Sequence, residues 1–303
     1  MLDILFLGTG ASIPSRDRGM PCVAVRSGSD VVLFDCGEGS QRQLMISPIS
    51  FMKVKAIFIT HMHGDHFLGL PGLLQTMGLS GRKDKLLICG PEGISSIMEV
   101  FLKVCEGKID YELDIVEATH GSSFVFKGFS VAAFKTEHSQ PSFGYKLTEK
   151  PVRGVFNKEK AIELGLRPGP DFTRLQDGET VKGVTPEMVI GQSRPGCSLV
   201  YSGDTTKCGG LTMAASGADV LIHESTFSKK ESKLAEEHKH STSVQAAETA
   251  TECGCRVLFL IHTSNRYDDK SILEDEAKAV FERTVVPSDM DMYKVSKTSV
   301  KKI

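Results

Sequence analysis

The chain has 303 residues, 40% of them hydrophobic and 24% charged, with a formal net charge of -2; that is enough for one large domain or two small ones. This balance excludes nucleic-acid binding through an overall basic field, so any such contact has to come from local patches. The N-terminal Met1-Leu2-Asp3-Ile4 has no basic region before its apolar residues, no apolar stretch approaches membrane-spanning length, and the eight cysteines include no Cys-x-x-Cys pair, so the expectation is a cytoplasmic protein with reduced thiols and no membrane segment.

In chain order, Leu2 to Leu7 reads as a strand closed by Gly8-Thr9-Gly10, and Val31 to Phe34 as another closed by Asp35-Cys36-Gly37-Glu38-Gly39. Gly8-x-Gly10 is a poor dinucleotide fingerprint, because no third glycine follows at the required spacing and Pro14 blocks an immediate helix. The apolar run Ala56 to Ile59 fits a buried parallel strand and Phe67 to Leu74 the start of a helix. His61-Met62-His63-Gly64-Asp65-His66 therefore falls on the connecting loop. Leu86 to Cys89 is a short strand, and Ser95 to Cys105 carries Ile97, Met98, Phe101, Leu102 and Cys105 at helical spacing. Phe124 to Phe134 alternates like paired strands and delivers Glu137-His138-Ser139.

From Lys146 to Arg194 prolines and glycines cluster around one short helical stretch, Lys158 to Leu164, as in an insertion projecting from the core. Between Lys146 and Arg174 seven Lys or Arg stand against four Asp or Glu. That surplus suits either a solvated surface segment or an arm that grips a phosphate backbone. The strand rhythm then resumes: Ser198 to Ser202 leads into Gly203-Asp204-Thr205, and Val220 to Ile222 into His223-Glu224-Ser225-Thr226. After an exposed charged stretch, Lys229 to Lys239, comes His240-Ser241-Thr242, with Ser241 or Thr242 as cap of a helix over Val244 to Thr251. Cys253-Gly254-Cys255 reads as packing ahead of the strand Val257 to Ile261, which ends at His262-Thr263-Ser264-Asn265-Arg266-Tyr267. The last ten residues, with Lys294, Lys297, Lys301 and Lys302, read as a solvated tail.

His61, His63, Asp65, His66, His138, Asp204 and His262 all follow strands, where α/β sheets bind ligands. Imidazole and carboxylate are the donors a borderline cation such as Zn²⁺ prefers. Residues two apart in an extended segment project the same way, so His61 and His63 can share one ion, while Asp65 and His66 are placed for a second. Two such ions activate water and polarise a phosphoryl oxygen, which makes hydrolysis the expected chemistry.

The motif His61-x-His63-x-Asp65-His66 resembles the signature of the metallo-β-lactamase fold. The remaining turns resemble one branch, the ribonuclease Z family of tRNA 3′-processing endonucleases. These are Phe6-Leu7-Gly8-Thr9-Gly10, Asp35-Cys36-Gly37-Glu38-Gly39-Ser40-Gln41, His138 with Pro141-Ser142-Phe143-Gly144-Tyr145, Tyr201-Ser202-Gly203-Asp204-Thr205, His223-Glu224-x-Thr226-Phe227, His240-Ser241-Thr242 and His262-x-Ser264-x-Arg266-Tyr267. The resemblance implies a single domain over 1–303 with a four-layer αββα fold, two sheets packed between helices, and a flexible arm inserted at 147–194. Gly165-Leu166-Arg167-Pro168-Gly169-Pro170 looks like the family's glycine-proline arm segment, which makes Gly169 and Pro170 expected substrate contacts.

Carried over residue by residue, the resemblance implies two Zn²⁺ per subunit, one on His61, His63 and His138, the other on Asp65, His66 and His262, with Asp204 bridging. It implies Asp65 as general base, His240 as general acid positioned by Glu224, and Ser264 and Arg266 beside the scissile phosphate. His238 is a rival for His240. The implied partners are precursor tRNA, cut to remove its 3′ trailer, and a second copy of the chain in a homodimer. One departure stands out: Pro14 to Gly19 resembles a family loop that usually carries asparagine where this chain has Gly19. The alternative function is a binuclear zinc hydrolase of small phosphodiesters or sulfate esters, which has no need of an arm. A redox di-iron protein is disfavoured by His63 and His66, and a non-catalytic RNA-binding module by the full ligand set.

Overall fold

In the computed structural model, which describes residues 1–104 and 109–303, two mixed sheets carry the chain. The first begins with β1 (Leu2–Gly8), β2 (Cys22–Ser27), β3 (Asp30–Phe34), β4 (Val54–Phe58), β5 (Leu86–Gly90) and β6 (Leu113–Glu117). The second holds β7 (Ser123–Val125), β8 (Phe129–Lys135), β9 (Phe143–Glu149), β10 (Ser198–Tyr201), β11 (Val220–Glu224), β12 (Val257–Ile261) and β13 (Thr284–Val285). The chain then returns to the first sheet as β14 (Met292–Val295) and β15 (Val300–Lys302), giving the orders β15-β14-β1-β2-β3-β4-β5-β6 and β13-β12-β11-β10-β9-β8-β7. Pairing is parallel from β3 to β6 and from β10 to β13.

The strands are apolar on both faces because both faces are covered, the pattern of a parallel sheet. With a period of two, Leu2, Ile4 and Phe6 point between the sheets, where they meet Tyr201, Ile222 and Phe259, while Leu5 and Leu7 point to the outer layer. Phe34 stacks on Tyr201 at 5.3 Å across that interior. Each fully buried phenylalanine there contributes about 1.5–3 kcal/mol of transfer free energy.

Outside the first sheet lie α1 (Ser40–Ile46), α2 (Gly64–Phe67), α3 (Leu70–Leu79) and α4 (Ile94–Val104), which bury Leu44, Leu70, Leu73, Met77 and Met98 against it. Cys105, read from sequence as the end of α4, lies outside the described residues. The strand-closing Gly8 has a simple packing reason: a Cβ there would lie 1.9 Å from the carbonyl oxygen of Met20.

Residues 149–196 form a compact unit of their own. It contains α5 (Lys158–Glu163), α6 (Pro170–Gln176) and α7 (Pro186–Val189) around Ala161, Leu166, Phe172, Leu175, Val181, Val184 and Val189. Sequence reading found only the first helix. Pro170 and Pro186, taken as loop punctuation, each stand in the first turn of a helix, where the missing N–H has no intrahelical partner to lose. Gly169, at φ 107, is the residue before α6, so Gly169 and Pro170 open a helix.

Outside the second sheet lie α8 (Gly209–Ala215), α9 (Ser232–Glu237), α10 (Ser243–Glu252) and α11 (Ser271–Lys278); Leu211, Ala246, Ala250 and Ala277 pack on its outer face with Cys253 and Cys255. Layers of helix, sheet, sheet and helix result, as the resemblance implied. Lys229 to Lys239 is exposed along most of its length, as the sequence suggests, and largely helical. One sequence reading changes: the C-terminal lysines lie on or between β14 and the edge strand β15, where Lys297 pairs with Asp219 and Lys302 with Asp291, both at 2.7 Å. Among the described residues no helix is long and apolar enough to cross a membrane.

Candidate metal centre

The parallel strands of both sheets end on one side, and their carboxyl ends supply the site. β3 runs into Asp35, β4 into Thr60 and His61, β10 into Asp204, β11 into Glu224 and β12 into His262. After His61 and His63 the chain makes a single turn of helix, α2, that carries Asp65 and His66, so these two are helical rather than on the loop that sequence reading assigned. Gly37 permits this turn to dock, since a Cβ at that position would lie 2.1 Å from the carbonyl oxygen of Asp65.

All seven residues expected as ligands converge. His61, His63, His138 and Asp204 form one group of donors, Asp65, His66 and His262 another, and Asp204, His240 and His262 a third that overlaps both. In the first, His61 Nε2 and His138 Nε2 lie 2.9 and 3.2 Å from His63 Nδ1. In the second, His66 Nε2 and His262 Nε2 are 3.4 Å apart and lie 3.6 and 3.5 Å from Asp65 Oδ2. Asp204 Oδ2 sits between the groups, 3.7 Å from His61, 3.4 Å from His66 and 3.3 Å from His262.

The outward nitrogens of four histidines are fastened, which aims the inward ones. His61 Nδ1 donates to Thr60 Oγ1 at 2.9 Å, His66 Nδ1 to Asp35 Oδ2 at 2.8 Å, His138 Nδ1 to Lys239 O at 2.9 Å and His262 Nδ1 to Thr226 Oγ1 at 2.8 Å. Asp35 is the hub. Fully buried and at φ 58, it also accepts from Thr60 N at 2.8 Å and Tyr201 Oη at 2.8 Å, so one carboxylate ties the two sheets together and orients a donor in each group.

The donor set fits a pair of divalent cations. It combines imidazoles and carboxylates, and Asp204 Oδ1 is buried with no hydrogen-bond partner. Burial disfavours charge on Asp204, but His262, His66 and His61 outweigh it and hold the carboxyl well below its ordinary range. Burial likewise opposes a charged His66, and Asp204 and Asp35 overcome it. In His61 burial prevails and the ring stays neutral.

Beside the donors, His240 Nδ1 lies 2.8 Å from Glu224 Oε1, and Glu224 is held in turn by Thr226 Oγ1 at 2.7 Å and Thr205 N at 3.1 Å. Burial works against charge on His240, yet the Glu224 carboxylate raises its pKa to about 9. Thr242 caps α10 in a capping box with Gln245, which fixes the chain just after His240. His238 lies exposed at the end of α9, outside the cluster. Arg266 stacks on Phe227, 4.9 Å from the ring centre, with its Nε 3.2 Å from Ser264 Oγ. A cleft of about 450 Å³ is lined by Asp65, Asp204, His240, His262 and Glu38, and a second of about 280 Å³, which shares Pro14, Met20 and Glu38, adds Arg16 and Arg42. At the departure noted in the sequence, Gly19 N donates to Asp289 Oδ2 at 2.6 Å, and a Cβ on Gly19 would make only ordinary contacts.

The sequence assigns no orienting role to Asp35, Thr60, Tyr201 or Thr226, although Asp35, Tyr201 and Thr226 stand in the quoted motifs and Asp35 is an acid directly following an apolar strand. Gly169 and Pro170 belong to the separate 149–196 unit.

A family model described as anti-Pycsar protein Apyc1 matches residues 2–155, a stretch that stops short of Asp204, Glu224, His240 and His262. Over almost the full chain, ribonuclease Z of Methanosarcina mazei is 46% identical across 96% of this chain and 97% of its own. Ribonuclease Z of Bacillus licheniformis is 41% identical across 98% and 100%. Among solved structures, human tRNase Z, short form, superposes with a TM-score of 0.72 at 28% identity, covering 97% of this chain and 99% of that one.

Proposed function

The chain belongs to the ribonuclease Z family, and from that premise we propose that it is a zinc-dependent endoribonuclease that removes the 3′ trailer from precursor tRNA, leaving a 3′-hydroxyl on the tRNA. The observation that carries this reading is the convergence of seven metal-type donors with a paired His240 and Glu224 in one cleft. Zn²⁺ matches the imidazole and carboxylate donors, and two ions match two groups that meet at Asp204. When bound, such ions supply Lewis acidity to a phosphoryl oxygen and lower the pKa of water.

The remaining work falls to the chain. Asp65 orients the attacking water and takes up its proton. Glu224 fixes the Nδ1 side of His240, leaving Nε2 to hand a proton to the departing 3′ oxygen. Arg266, held over Phe227, and Ser264 receive the phosphate. The 149–196 unit, with Gly169 and Pro170, serves as the arm that grips tRNA away from the cut. Exposed Met45 and Ile46 on α1 and Leu79 on α3, whose helices are joined by the Gln41–Thr76 hydrogen bond, suit contact with a second copy; sedimentation at twice the chain's 33.0 kDa supports that homodimer and a single-chain mass contradicts it. A cytoplasmic setting agrees with the seven described cysteines, all of them buried thiols.

His240→Ala tests the assignment. Turnover of a precursor tRNA should fall about 10²–10⁴-fold with bound zinc unchanged; loss of zinc in that variant refutes the acid role. The second reading, a binuclear zinc hydrolase of small phosphodiesters or sulfate esters, uses the same metal donors. It gives the 149–196 unit no task.

A further inference from the structure

The loop from Ser12 to Asp17 is exposed, but the next residue, Arg18, is only 7% exposed. Its guanidinium is committed to the loop that follows β12. One terminal nitrogen donates to Thr263 Oγ1 at 2.7 Å, Ser264 O at 3.2 Å and Thr263 O at 3.3 Å; the other donates to Tyr267 O at 2.7 Å. A buried cation needs its donors satisfied, and the rigid fork of arginine reaches acceptors on three residues, Thr263, Ser264 and Tyr267, at once, which a single ammonium could not. Every acceptor belongs to the loop that begins at His262.

The same two loops are laced at other points. Gly10 and Thr263 form a parallel bridge, Thr263 N donates to Thr9 O at 3.1 Å, and Asn265 Nδ2 donates to Ile13 O at 2.6 Å. At the near end of the exposed loop, Ser12 N donates to Asp65 Oδ2 at 2.9 Å. The Arg18 loop thus touches Asp65 at one end and holds the neighbour of His262 at the other. His262 itself stands at φ 52, a left-handed conformation that a non-glycine residue keeps only when its surroundings enforce it. None of these bonds reaches His61, His63 or His138.

The geometry points to Arg18 as a positioning residue that keeps the Asp65, His66 and His262 group assembled, acting through Thr263 and the loop carbonyls rather than by touching RNA. Within its loop, Arg16 is the outward-facing cation and Arg18 the inward strut. This inference rests on the metal-dependent reading above.

The test compares zinc stoichiometry and affinity, by native mass spectrometry and chelator competition, for the wild type, Arg18→Met, Arg18→Lys and Thr263→Val. Precursor-tRNA kinetics are read alongside. The wild type should hold two ions. Arg18→Met should keep one and bind the other about 10–100-fold more weakly, the usual effect of losing an orienting partner. Its kcat should fall more than KM rises, and excess zinc should restore most of the turnover. Arg18→Lys, with a single ammonium, should lie between. Thr263→Val, which removes the shortest side-chain acceptor, should weaken the same ion and carries the test if Arg18→Met does not fold.

Two ions held at wild-type affinity in Arg18→Met, with a rise in KM alone, would make Arg18 an RNA contact and overturn the inference. So would equal loss of both ions in Thr263→Val. A wild-type protein that binds no divalent ion brings down the metal reading itself, a failure visible before any variant is made.

Discussion

Asp35 and His223 show how differently a buried polar side chain can be used at the end of a strand. Asp35 has every oxygen partnered. His223, fully buried in β11, donates from Nδ1 to Glu224 O at 2.7 Å, while its Nε2 has no partner. Burial holds its pKa below the ordinary 6.5. An unfolded chain therefore takes up a proton near pH 6.5 that the folded chain refuses, so stability is full above that pH and drains away as pH falls towards the folded-state value. In metal-free protein, His223→Asn should flatten the loss of unfolding free energy between pH 7.5 and 5.5, beyond any pH-independent cost. Urea titrations at the two pH values check this; identical slopes in variant and wild type would show that His223 does not titrate in that window.

At this scale the donors were legible in sequence because each follows an apolar strand, one polar cluster per turn. Their orienting partners were not. Tyr201 reaches Asp35 across 166 positions and a sheet-to-sheet interface, and Thr226 reaches His262 across 36. Nothing local in the sequence encodes such a pairing.

Among the elements, β9 and β10 explain how the chain tolerates an insertion. They are antiparallel neighbours, with Thr148 opposite Ser198, so a short turn could join them in place of everything between. The 149–196 unit has its own apolar cluster and so does not depend on such a turn for its packing. Replacing residues 150–195 by such a turn should leave hydrolysis of a small chromogenic phosphodiester within a few-fold of wild type and abolish cleavage of precursor tRNA, since remote binding energy is what the proposed arm would supply. Equal loss of both activities would contradict the arm assignment.

The buried strands β1, β4 and β12 were legible from their mostly apolar runs. Others were not: β14 is only four residues, and it is a strand because Val295 pairs with Leu2 at the other end of the chain. The helices α6 and α7 were hidden because proline marks a helix start as readily as a loop.

For the whole molecule, two sheets press their parallel strands together so that both sets of carboxyl ends open into one cleft. Neither sheet is sufficient. The first brings Asp35, His61, His63, Asp65 and His66; the second brings His138, Asp204, Glu224, His240 and His262. This division is why the match confined to residues 2–155 carries less about function than relatives aligned over 96% of the chain. It also explains why the layered fold was legible from the strand–turn–helix rhythm, whereas the order of strands within each sheet was not.

On the proposed mechanism this cleft cuts precursor tRNA at one position using metals held by its donor groups. The most direct measurement incubates a precursor tRNA carrying a 3′ trailer with zinc-loaded protein, metal-stripped protein and Asp65→Ala, and maps the ends produced. A single cut next to the discriminator base is expected with the zinc-loaded wild type and none with the other two. Intact RNA alongside brisk hydrolysis of a small phosphodiester, or an unchanged cut in Asp65→Ala, would contradict it.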